Sequence, residues 1–93
     1  MSSTRRVHPL VSIVSVNWNE EEVTRLMLDS LRDVSYPSFE TFVVDNGSTK
    51  GNLDNVSSLY SRTRLIRSEE NLGFAGGNNL AFPYVQGKYI LLL

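Results

Sequence analysis

Three short runs in this 93-residue chain carry residue types suited to holding a flat, polar ligand. Asn17-Trp18-Asn19 sets an indole between two amides. Asp45-Asn46-Gly47-Ser48 offers a carboxylate followed by turn residues. Asn71-Leu72-Gly73-Phe74-Ala75-Gly76-Gly77-Asn78-Asn79 is a glycine-rich run bounded by asparagines. The ring of Trp18 has the area and polarisability to stack on a base, and is equally suited to packing, half-buried, against a following helix. Asp45 can accept hydrogen bonds from a base N–H or from ribose hydroxyls; it can also close a strand as an Asx-turn with Asn46 and Gly47. The glycines of the third run permit close backbone approach to a ligand, and N–H groups opening a following helix favour a phosphate. The same run also reads as a tight strand-to-helix connection with Asn78 as N-cap.

Other chemistries find little support. The turn after the first strand lacks G-x-G-x-x-G, and Gly73, Gly76 and Gly77 do not match that spacing. No G-x-x-x-x-G-K-[ST] is present either. The single histidine, His8, stands beside Pro9 in a polar lead-in, which suits a solvated residue better than a ligand. Without cysteine there are no disulfides, thiolate metal sites or cysteine nucleophiles in these 93 residues. Glu20, Glu21 and Glu22 point in different directions on a helix and cannot converge on an ion; they suit a solvated first turn at the positive end of the dipole. With 9 Lys+Arg against 10 Asp+Glu, the charge balance argues against an electrostatic nucleic-acid binder. Arg62, Arg64 and Arg67 read as solvated charges flanking a strand, with Arg67 nearest the ligand end. The apolar run Tyr89–Leu93 is too short to span a bilayer.

The elements that must position these runs follow from periodicity. Leu10–Val16 and Phe39–Val44 are apolar and β-branched, Thr63–Ile66 is a short third strand, and Tyr89–Leu93 a fourth. Val23, Leu26, Met27, Ser30 and Leu31 recur at helical spacing, predicting a helix over 20–32 with Asn19 as N-cap. A weaker helix is predicted over 52–61 with Leu53, Val56, Leu59 and Tyr60 on one face. A third helix is predicted over 79–85, after the glycine-rich loop. Pro83 should kink or shorten it, and Gly87 should close it as a C′ residue. This β-α-β-α-β-α-β order implies a Rossmann-like α/β fold, a parallel sheet of about four strands with flanking helices. Ligands of such sheets bind outside the carboxyl ends of the strands, where all three runs fall.

At these residues the chain resembles the family-2 glycosyltransferases, which have the GT-A fold. Val11–Asn19 is similar to the family's opening strand and aromatic-Asn turn, and Phe42–Thr49 to its Val-Asp-Asn/Asp-Gly-Ser-Thr signature. Asn71–Asn79 is similar to the loop of the rhamnosyltransferase-like branch, and Gly87–Leu93 to the strand leading into the family's aspartate motif. The resemblance implies inverting transfer of a hexosyl-type sugar from a nucleotide-diphosphate sugar, UDP- or dTDP-linked, to a hydroxyl of a glycan or lipid-linked acceptor. By motif position Trp18 stacks on the base, Val16 contacts the nucleotide through its backbone, and Asp45 binds the base. Asn71 and Gly73 lie close to the nucleotide, and Gly76, Gly77 and Asn78 shape that wall.

The resemblance also implies a divalent cation, Mg or Mn, for a complete enzyme. The family's Asp-x-Asp motif follows the last strand directly, and Leu93 is the final residue, so no catalytic residue and no metal ligand is assigned. Residues 1–9 are then a lead-in and 10–93 the nucleotide-sugar-binding half of a GT-A domain, expected to bind nucleotide without catalysing transfer. Its apolar last strand, left as an open edge, invites self-association. A cytoplasmic location, peripheral to the inner face of the membrane for a full enzyme, agrees with this reading. A non-catalytic α/β interaction module or remnant, and another nucleotide-binding α/β enzyme, are the alternatives.

Overall fold

A computed structural model describes residues 8–93; the first seven positions of the polar lead-in lie outside the described residues. Four strands, β1 (Val11–Asn17), β2 (Phe39–Asn46), β3 (Thr63–Ser68) and β4 (Tyr89–Leu92), form one sheet in the order β3-β2-β1-β4. Every pairing is parallel. The helices are α1 (Glu21–Arg32), α2 (Val56–Leu59) and α3 (Gly73–Ala81), the last continuing into a 3-10 turn, Phe82–Tyr84. The expected Rossmann-like α/β sheet is what forms.

Alternation along β2 divides the core into two layers. Val43 faces α1 and α2, packing with Leu28, Leu53, Val56 and Tyr60. Phe42 and Val44 face the other way, packing with Val14 and Ala81. A strand covered on both faces must be apolar at successive positions, and Val43 and Val44 are both fully buried. The α1 stripe is offset from the one predicted. Thr24 and Leu28 are its buried residues, Met27 and Leu31 pack beside them, and Val23 and Leu26 point outward.

Three local expectations are corrected. Helix α2 is a single turn rather than residues 52–61. The Asn52 side chain accepts from the Asp54 N–H at 2.7 Å, an Asx-turn that competes with helix. Leu53 and Tyr60 are core residues from outside the helix, and Leu59 is exposed. The glycine-rich run is not a loop before a helix over 79–85; it is the helix, from Gly73. Gly77 sits where a Cβ would stand 3.0 Å from both Val16 Cγ1 and Asn46 Nδ2, so the missing side chain lets the helix lie close on the sheet. Pro83 falls in the 3-10 turn that follows Ala81, shortening the helix as its ring and absent N–H require. Gly87 is accordingly not a helix C′ residue. It lies against β1, donating its N–H to Ser12 Oγ at 2.8 Å, while Ser12 donates to Glu40 Oε2 at 2.5 Å.

Candidate functional site

The register fixes the rim. Asn17, the last residue of β1, stands opposite Asp45, and Asp45 stands opposite Arg67. Trp18 follows Asn17 directly, so the indole-bearing turn and the Asp45 carboxylate leave neighbouring strands at the same carboxyl edge. Trp18 is 48% exposed. Val16 packs its side chain on the α3 side of the sheet and lies two positions beyond the last β1–β4 rung, Val14 with Leu92.

Two buried asparagines, one at each strand end, tie this edge together. Asn17 accepts from Thr24 Oγ1 of α1 at 2.8 Å and donates through Nδ2 to Ser48 Oγ at 3.1 Å, with a longer reach of 3.5 Å to Asp45 Oδ1. Asn46 accepts from the Leu72 N–H at 3.0 Å and donates to Asn71 Oδ1 at 3.1 Å and to the Gly73 carbonyl at 2.9 Å. Asn71 Oδ1 also accepts from the Gly73 N–H at 2.8 Å. The turn at 71–73 is therefore fastened to the end of β2, beside Asp45. Gly47 makes the close approach possible: its φ is +75°, and a Cβ there would lie 2.4 Å from the Glu70 carbonyl carbon.

Asn19 does not cap α1. Its φ of 55° is left-handed, and its Oδ1 accepts from the N–H groups of Thr49 at 2.8 Å and Lys50 at 3.1 Å. It binds the two loops across the rim, and Glu20 occupies the N-cap position without a side-chain cap bond. Nor does Asn78 serve as N-cap. It is buried in the middle of α3, with Nδ2 donating to the Phe74 carbonyl at 3.0 Å and Oδ1 without a hydrogen-bond partner. Gly76 lies on α3 beside the Leu72 side chain.

Electrostatically the rim keeps one carboxylate in reserve. Among the described residues Asp45 forms no ion pair, and its one side-chain hydrogen bond is the 3.5 Å contact from Asn17. Arg67, across the strand, is committed elsewhere, in an ion pair with Asp54. Glu21 is also committed: the Asn52 N–H and the Arg25 side chain donate to it and hold its carboxyl below the ordinary value. No group of three His, Cys, Asp or Glu side chains suited to a metal ion occurs among the described residues.

Two cavities lie elsewhere. About 490 Å³ opens at the amino ends of β2 and β3, between Glu40, Arg64, Tyr84 and Gln86, and a smaller one of about 140 Å³ lies beside Phe39 and Tyr60. Neither is lined by Trp18, Asp45, Asn71 or Gly73. Sequence reasoning placed those four at one edge through strand topology. It missed the asparagines at 17 and 46, although strand alternation puts Asn46 on the inward face with Phe42 and Val44.

A model of the family described as glycosyl transferase family 2 matches residues 12–93. The putative teichuronic acid biosynthesis glycosyltransferase TuaG of Bacillus subtilis (strain 168) is 32% identical over 88 residues, 91% of this chain and 35% of that protein. The Escherichia coli UDP-Glc:alpha-D-GlcNAc-diphosphoundecaprenol beta-1,3-glucosyltransferase WfgD is 31% identical over 85 residues, 90% of this chain and 34% of that protein. Among solved structures, the mannosyltransferase PcManGT from Pyrobaculum calidifontis, in complex with GDP-Man and Mn2+, superposes with a TM-score of 0.81 at 25% identity. That match covers 90% of this chain and 26% of the mannosyltransferase. S. aureus TarS 1-349 superposes at 0.78 with 27% identity, over 89% of this chain and 26% of TarS. The chain thus spans about a third or less of the length of these relatives.

Proposed function

Because the chain belongs to glycosyl transferase family 2, with the Rossmann-like sheet of the GT-A fold, we propose that its carboxyl rim holds the nucleotide of a nucleotide-diphosphate sugar, UDP- or dTDP-linked. Trp18 stacks on the base, and Asp45 accepts hydrogen bonds from it. Val16 contributes backbone contact, Asn71 and Gly73 border the nucleotide, and Gly76, Gly77 and Asn78 shape the wall behind them. The observation that carries this reading is the unspent hydrogen-bonding capacity of Asp45 on the strand next to the half-exposed Trp18. The rim serves inverting transfer of a hexosyl-type sugar to the hydroxyl of a glycan or lipid-linked acceptor, carried out by the longer protein of which relatives such as TuaG are examples. A Mg or Mn ion serving that reaction takes its ligands from beyond the described residues, and these 93 residues bind donor nucleotide without transferring sugar.

Isothermal titration of the chain with UDP and with dTDP tests the reading. Saturable binding of one or both is expected, weakened about tenfold or more in Trp18→Ala and in Asp45→Ala, with either variant still folded. If a folded wild-type chain takes up neither nucleotide, the rim has no such role. The chain would then be a fold-retaining interaction module in which both substitutions alter stability alone.

A further inference from the structure

We propose that Asn46 is a positioning residue for this nucleotide rim: it sets the Asn71–Gly73 turn and the start of α3 against Asp45. The inference rests on the functional reading above and extends it to a residue that does not itself face the base. An Asp-Asn-Gly-Ser run reads as a local turn, yet none of the side-chain bonds of Asn46 is local. They reach Asn71, Leu72 and Gly73, 25–27 residues away. Asn46 is 2% exposed, so its own amide depends on these partners rather than on water.

The orientation of the amide is dictated by its surroundings. The Leu72 N–H can only donate, so it must meet Oδ1; the Gly73 carbonyl can only accept, so it must meet Nδ2. Asn71 is fixed in turn, because its Oδ1 faces two donors, the Asn46 amide and the Gly73 N–H. One oxygen and one NH2 group at position 46 therefore determine the peptide directions at 71–73. An aspartate of the same shape could keep the Leu72 contact but would set a second oxygen against the Gly73 carbonyl and Asn71 Oδ1. Relief would require Asn71 to turn its amide over, which strips the Gly73 N–H of its partner.

The test uses the 93-residue chain with Asn46→Asp, measuring backbone amide exchange by NMR and UDP affinity by titration at pH 7.5 and pH 5, each as a ratio to wild type at the same pH. The expected result is selective. The Gly73 amide exchanges about tenfold faster at pH 7.5, the size of one lost hydrogen bond, while the Leu72 amide keeps its protection. UDP affinity falls about tenfold, and both ratios move toward one at pH 5, because burial against two acceptor oxygens raises the introduced carboxyl and a protonated one can donate again. Asn71→Ala, at an exposed position, checks the same coupling without touching β2 and should also release Gly73 but not Leu72. Leu72 and Gly73 accelerating together in Asn46→Asp would reduce Asn46 to a folding support. A UDP affinity ratio of one at both pH values would show that the turn does not matter to the ligand. A wild-type chain that binds neither UDP nor dTDP overturns the nucleotide reading and this proposal with it, whatever the exchange data say about the turn.

Discussion

At the scale of single residues, Gly47 and Gly73 share a backbone conformation but not an environment. Both have φ near +75°, yet a Cβ on Gly47 would press into the backbone of Glu70 and Asn71, and one on Gly73 would meet nothing within 4 Å. Gly73→Ala should therefore cost only the left-handed penalty, about 1 kcal/mol. Gly47→Ala should add a backbone clash that no side-chain rotation relieves, for a total of about 3 kcal/mol or more. Urea denaturation of the two variants separates these contributions, and equal losses would refute the close approach of residues 47 and 70. Trp18 and Asp45 could be singled out in the sequence because the chemistry proposed for them is carried by side-chain type alone. Asn17 and Asn46 were not, since a short amide at the end of a strand looks like a turn former. Apart from Thr24, which bonds Asn17 from the following helix, their partners lie 25–31 residues away, beyond the reach of local pattern.

At the scale of elements, α1 is moored through its first turn. Glu21 accepts from the Asn52 N–H at 2.9 Å and from Arg25 Nε at 2.8 Å, and Arg25 reaches on to the Asn52 carbonyl and Asn55 Oδ1 at 2.7 Å. These donors lower the Glu21 carboxyl. Its contribution to stability is therefore full above the unfolded value and fades as pH falls through the lower, folded one. Glu21→Gln should lower stability at neutral and alkaline pH, where the ionised carboxyl contributes fully, and converge with wild type in acid, so that the acid limb below about pH 4.5 flattens; an unchanged acid limb in urea titrations would count against the mooring. Element type and order were readable from apolar periodicity, and the parallel sheet followed from the alternation of strands and helices. The start of α3 was not readable. Glycine signals a loop by its own preference, but at position 77 it is required by contact with Val16 and Asn46, a demand made by the sheet rather than by the helix.

At the scale of the whole molecule, the sheet ends at β3 on one side and β4 on the other. Tyr89, Ile90, Leu91, Leu92 and Leu93 are each 44–57% exposed, an apolar strip with unpaired backbone along one flank. The 93-residue chain should associate in a concentration-dependent way, and Ile90→Lys with Leu92→Lys should shift it toward monomer in sedimentation velocity. A wild-type chain that sediments as a single monomeric species at all concentrations would contradict this. The longer relatives have additional chain with which such a strip can be covered, and the same pair of lysines introduced there should hinder folding instead.

The rim is stitched from segments around residues 17–19, 45–48 and 71–73, joined by side-chain bonds that span 25 to 31 positions. No stretch of the unfolded polypeptide contains this arrangement, so a nucleotide has nothing comparable to grip until the strands have paired. Occupancy and folding are then thermodynamically linked, and a solute at a hundred times its dissociation constant would raise the unfolding free energy by about 2.7 kcal/mol. On the proposed function, added donor nucleotide should therefore slow proteolysis of the 93-residue chain.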